Sequence, residues 1–121
     1  MSMETPHESE AQLLAHRLRV LSEDTGVAAA DLERMWLSET SERLDAAADA
    51  LAAGDLANVV RIVHSAAGTS GICGAAGLSA SLTNVERLAA DGRNGEVREG
   101  LASAQAQFVG LVNALKAGLA R

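Results

Sequence analysis

His64 is followed by Gly68 and Gly71 in the stretch RIVHSAAGTSGICGA, residues 61–75. If this stretch is helical, at about 100° per residue, His64 lies beside Val60, Arg61, Gly68 and Gly71. Each glycine inside a helix costs about 1 kcal/mol relative to alanine. Two of them on the histidine's own face leave the imidazole uncovered and let a partner's backbone come close. A neutral imidazole nitrogen is a competent nucleophile towards electrophilic phosphorus, and at cellular pH much of an ordinary imidazole is unprotonated. Phosphoryl transfer asks the protein mainly for positioning and charge compensation. A bare histidine on a rigid helix, docked onto a partner that supplies the remaining groups, can therefore carry a phosphoryl group. Arg61 is placed to contact phosphate or partner, and Ser65 and Thr69 flank the histidine with hydroxyls. The alternative is an ordinary boundary histidine, with glycines that only let another helix pack closely.

Five helical segments position this stretch. The first starts at Pro6, with Thr5 and Glu8 as a capping box, and ends at Gly26. Its apolar face is Leu14, Leu18 and Leu21, helped by Leu13. The second runs over 29–53 with Leu32, Met35, Trp36, Leu44, Ala47, Ala48 and Leu51 at helical spacing. Gly54 ends it, and Asp55 can cap the histidine helix, which spans 56–73. That helix turns Leu56, Val59, Val63, Ala67 and Ser70 inward and places His64 about 100° away, at the solvent boundary. A fourth helix covers 75–91 with Leu78, Leu82, Val85 and Leu88 inside. The fifth follows Asn94 as N-cap, with Val97, Leu101, Ala104, Phe108, Leu111, Leu115 and Leu119 as its seam. No segment alternates as a strand would. Short glycine turns favour antiparallel neighbours, so the fold class is all-α: an up-and-down four-helix bundle over 29–119 with an additional N-terminal helix over 6–25, one domain in 121 residues.

Composition narrows the function. Hydrophobic residues make up 48% of the chain, which argues for a packed core, while one Trp, one Phe and no Tyr provide no base-stacking surface. A formal charge of −6 argues against nucleic acid or an anionic membrane as partner. Apolar runs are shorter than the roughly 20 residues a membrane span needs. With no signal-peptide pattern at Met1–Glu10, the expected location is the cytoplasm. Cys73 is the lone cysteine, so no internal disulfide and no cysteine metal cluster is expected. It is read as a small buried side chain, Trp36 as core, and His7 and His16 as surface residues; no metal site is expected. The glycines of 68–77 do not form a phosphate-binding loop, because the lysine is missing and they sit in a helix.

The stretch from His64 to Ala75 resembles the signature of histidine phosphotransfer (HPt) domains. That motif has a histidine, a glycine four residues later, small residues, then Gly-Ala; His64, Gly68, Gly74 and Ala75 fill those positions. Ala50 to Leu56 looks like the turn before the family's histidine helix, and Leu78, Leu82, Val85 and Glu86 look like the helix after it. The resemblance covers about 31–119 and implies a four-helix bundle with a phospho-accepting histidine. Its expected partners are response-regulator receiver domains and a sensor (hybrid) histidine kinase. Implied with it are a monomeric phosphocarrier without autonomous catalysis and no cofactor. One departure stands out. The family's usual lysine three residues after the histidine is here Ala67. Arg61 is the candidate to supply the missing charge, with Val60, Gly68 and Gly71 allowing close apposition. Ala67 also motivates a second reading, a helical interaction module that binds a kinase or receiver without accepting phosphate. A third, the dimerising histidine domain of a sensor kinase, lacks the acidic residue and proline expected after His64.

Overall fold

A computed structural model describes residues 6–119. They form five helices: α1 (Pro6–Thr25), α2 (Ala29–Ala52), α3 (Leu56–Ile72), α4 (Ala76–Ala90) and α5 (Asn94–Leu119). The expected Thr5 half of the first capping box lies outside the described residues. Ala53, Cys73 and Asp91 act as C-caps, so α2, α3 and α4 each stop one residue before the sequence-based limit. Asn94 is already helical. The first α5 bond runs from Val97 N–H to Arg93 C=O, which makes Arg93 the residue that opens the helix.

α2, α3, α4 and α5 pack in chain order around a ring, and α5 closes back on α2. α1 lies across α5 and α2. The inward stripes supply the core: Leu44 and Ala47 from α2, Val59 and Val63 from α3, Leu78, Leu82 and Val85 from α4, and Val97, Leu101, Ala104 and Leu111 from α5. The chain's only tryptophan and phenylalanine meet there, Trp36 against Phe108 edge to face with centroids 5.6 Å apart. The Trp36 indole N–H donates to the buried Ser70 hydroxyl, 3.2 Å, which fastens α2 to α3.

Three expected faces differ. Leu13 points to solvent rather than supporting Leu14, because the residue beside a stripe is rotated by about 100°. Met35 is likewise exposed, whereas Thr40, in register with Trp36 and Leu44, is fully buried. Cys73 is half-buried, not enclosed, because it caps the end of α3.

α1 does more than add apolar surface. It buries Ala11, Leu14 and Leu18 and grips the α3–α4 turn from both sides. Arg17 Nε donates to the Ile72 carbonyl at the end of α3, 3.2 Å, while the Glu10 carboxylate accepts from Leu78 N–H at the start of α4, 3.1 Å. A cation at a helix C-terminus and an anion at an N-terminus both oppose the helix dipoles favourably. Neither α4 nor its N-cap Ala75 offers a side-chain cap of its own, so Glu10 fills that role from 68 residues away. Gly74 makes the turn possible. Its φ of +92° suits glycine, and a Cβ there would lie 3.0 Å from Arg17 Cβ and 3.2 Å from the Leu13 carbonyl. The turn closes with Ala75 N–H bonded to Ser70 C=O, 2.8 Å.

Candidate functional site

α3 is set in place before its histidine is presented. Asp55 caps it, its side chain accepting from Asn58 N–H at 3.1 Å. Val59, Val63, Ala66, Ala67 and Ser70 then bury one face, which turns His64 outward near the middle of the helix. The His64 side chain is 75% exposed. Its Nδ1 lies 2.9 Å from Glu86 Oε1 of α4. A carboxylate accepts only, so the contact places the hydrogen on Nδ1, and in the neutral ring Nε2 then holds the free lone pair on the far side. The arrangement is a nucleophilic nitrogen facing solvent, with the ring's orientation and tautomer fixed from behind.

Beside the ring, between α3 and α4, a shallow depression is lined by His64, Ala67, Gly68, Ser79, Thr83 and Glu86. Its hydroxyls are already committed: Ser79 donates to Ala67 C=O at 2.8 Å and Thr83 to Ser79 C=O at 2.9 Å. Ala67 itself is buried beneath this surface. On the other side of the histidine helix, a second depression between α2 and α3 is lined by Glu42, Arg43, Ala46, Arg61, Ile62 and Ser65.

The residues named from sequence are therefore distributed on both sides of His64. Gly68 is open, with nothing within 4 Å of a Cβ placed there. Gly71 is not open in that way: a Cβ would sit 3.2 Å from the Ser79 hydroxyl, so this glycine admits α4 as well as shaping the surface. Arg61 lines the α2–α3 depression and hydrogen-bonds Asn58, away from the Glu86 side. Ser65 shares that depression, and Val60 is half-buried one turn before His64. Thr69 is occupied: its hydroxyl donates to Ser65 C=O at 3.1 Å and accepts from Arg43 at 3.2 Å. His16 is exposed, whereas His7 is half-buried, with its ring against Gly110 of α5.

Glu86 is the site residue that sequence reasoning passed over, noting it only within the family resemblance. A usable signal existed. α3 and α4 form a hairpin about Ala75, and His64 and Glu86 are equidistant from it, as are Gly71 and Ser79, which also meet.

The described residues form a helical bundle that displays His64 outward, backed by a carboxylate and flanked by shallow surface rather than a closed pocket. Residues 31–120 match the family model described as Hpt domain, and the chain belongs to that family. Hpt domains are phosphocarriers of phosphorelays and interact with receiver domains and kinases. Comparisons with curated proteins and with solved structures return no match. Among the described residues, no helix is long and apolar enough to cross a membrane.

Proposed function

We propose that this chain accepts a phosphoryl group on His64 Nε2 from a receiver-domain aspartyl phosphate or a kinase and passes it to a response regulator. The observation that carries this reading is the exposed His64 with Nδ1 held on Glu86 at 2.9 Å, within a chain of the Hpt family. With a receiver-domain donor, attack by the Nε2 lone pair forms an N–P bond as the aspartyl phosphate's O–P bond breaks and its carboxylate leaves. The ring becomes a phosphorylated imidazolium that keeps its Nδ1 hydrogen, and Glu86 faces that new positive charge. Onward transfer reverses the steps: the receiver carboxylate attacks phosphorus, the N–P bond breaks, and Nε2 recovers its lone pair. Gly68, bare on the histidine's face, lets the partner approach. On this reading the chain works in the cytoplasm as a monomer and as one folded unit.

A panel of phosphorylated kinases and receiver domains from the same source, offered to wild type and His64→Gln, tests it. Acid-labile, alkali-stable label on wild type alone is the expected outcome, and label persisting on His64→Gln removes the reading. The second reading, a non-phosphorylated interaction module, is favoured by one observation. Ala67 replaces the usual lysine, and no Lys or Arg lines the depression beside His64. It predicts binding to a panel member without label, scarcely weakened by His64→Gln.

A further inference from the structure

The turn between α4 and α5 reads Asp91-Gly92-Arg93-Asn94-Gly95, so an aspartate and an asparagine are each followed by glycine. In such pairs the glycine amide nitrogen, once it gives up its proton, can attack the preceding side-chain carbonyl carbon, because glycine brings no Cβ to obstruct the approach. The backbone treats the two pairs differently. Gly92 N–H donates to Ala89 C=O at 3.1 Å and Asp91 N–H to Arg87 C=O at 3.0 Å, which ties the first pair into the end of α4. Gly95 stands at the opening of α5. There the backbone bonds reaching back to the turn come from Asn94 N–H to Gly92 C=O and from Val97 N–H to Arg93 C=O. Gly95 N–H is one of the donors that a helix start leaves without an intrahelical acceptor. Asn94 and Gly95 are exposed, nothing lies within 4 Å of a Cβ built on Gly95, and among the described residues the Asn94 carboxamide has no hydrogen-bond partner. The neighbouring Arg93 is held by Glu96 at 2.6 Å.

We infer that Asn94 is a site of spontaneous deamidation in the folded chain, selected by the free Gly95 amide. The Gly95 nitrogen attacks the Asn94 side-chain carbonyl carbon. A C–N bond forms, the carboxamide C–N bond breaks, the proton from the Gly95 nitrogen goes to the leaving group, and ammonia departs. The resulting succinimide takes up one water at either of its two carbonyls and opens to aspartate or isoaspartate. Closing the ring requires the Asn94–Gly95 peptide to rotate out of its helical setting. That opens only the first turn of α5, and helix ends are the part that frays most readily. The other asparagines lack both features. Asn58, Asn84 and Asn113 precede Val59, Val85 and Ala114 within α3, α4 and α5, where a Cβ crowds the nitrogen and a helical bond holds it; Val59 N–H, for one, donates to Asp55 C=O at 3.1 Å. The two products differ in effect. Aspartate adds a carboxylate at a helix N-terminus, where negative charge is favourable. Isoaspartate lengthens the main chain by one atom and takes Arg93 out of register with Val97.

The test sets two chemically equal pairs in one turn. The full chain and its Asp91→Asn variant are held at neutral pH in heavy-oxygen water, folded and in urea, and their peptides are followed by mass spectrometry. In the folded wild type, residue 94 is expected to gain the deamidation mass and one heavy oxygen well before Asn58, Asn84 or Asn113. In the folded variant it should react several-fold faster than the asparagine placed at 91, whose following amide is bonded to Ala89. In urea the two positions should react alike, and Gly95→Ala should slow the reaction at 94 in both states. Equal or reversed rates at 91 and 94 in the folded variant overturn the inference, because the turn then selects nothing. So does a folded wild type in which Asn94 stays intact while it reacts in urea. A preference for 94 that persists unchanged in urea belongs to the flanking residues rather than the fold and overturns it as well.

Discussion

His64 Nδ1 and Glu86 Oε1, 22 residues apart in the chain, meet at 2.9 Å across the α3–α4 hairpin. The contact fixes which ring nitrogen faces out. Glu86→Ala is therefore expected to let the imidazole exchange tautomers and to slow phosphoryl acceptance about tenfold, equivalent to roughly 1.4 kcal/mol of barrier. Glu86→Gln keeps an acceptor for Nδ1–H but removes the charge, and should fall between. Two-bond proton–nitrogen NMR reads the tautomer and label incorporation reads the rate. If Glu86→Ala matches wild type in both, Glu86 has no positioning role.

Gly68→Ala separates stability from transfer. A Cβ at this position meets nothing within 4 Å, so the substitution should raise stability by about 1 kcal/mol through helix propensity alone. If the bare patch serves a docked partner, the same variant transfers phosphate more slowly despite its higher Tm. A rise in Tm with full transfer would show that the docked partner does not need this glycine.

The Glu10 cap and Gly77 are coupled. A Cβ on Gly77 would collide with the Glu10 carboxylate, the flexible end of a side chain that can move aside only by leaving Leu78 N–H. Glu10→Ala should lower stability by about 1 kcal/mol, as for other lost helix caps. Gly77→Ala should then be neutral or harmful in wild type yet stabilising in the Glu10→Ala background. Urea unfolding of the four proteins gives the cycle directly, and additive effects would contradict the contact.

Burial pushes the Glu33 carboxyl above its usual range. The folded state therefore binds this proton more tightly than the unfolded chain does, so Glu33 favours folding at low pH and loses that contribution as pH rises through its raised pKa. Glu33→Gln should raise Tm modestly at pH 7, with the gain shrinking as pH falls below the ordinary carboxylate range. A pH-independent difference would point to packing instead of charge burial.

Much of the fold was legible because each helix carries its own inward stripe. Leu78, Leu82, Val85 and Leu88 recur at helical spacing and all are buried. Glycine turns marked the ends, as at Gly26 and Gly54. Periodicity says which side of a helix is apolar, but it discounts a polar residue in register, and so Thr40 was missed inside the core. His64 stood out through its glycines, yet its partner could be found only by folding the sequence about the turn at Ala75. Contacts from Glu10 and Arg17 to backbone groups 68 and 55 residues away leave no local spacing at all. Their one trace is Gly77, whose missing side chain makes room for Glu10 of α1.

Kinship and foldedness need not share a border in this chain. The family match begins at residue 31, after α1 has ended at Thr25. A fragment cut at that border would leave the Ile72 carbonyl and the Leu78 amide without their side-chain partners and would strip Leu14 and Leu18 from the apolar interior. Such a fragment is expected to be at best loosely packed at the α3–α4 turn, the hinge about which His64 and Glu86 are brought into register. An excision guided by resemblance alone would thus remove the element that keeps the acceptor's two helices aligned.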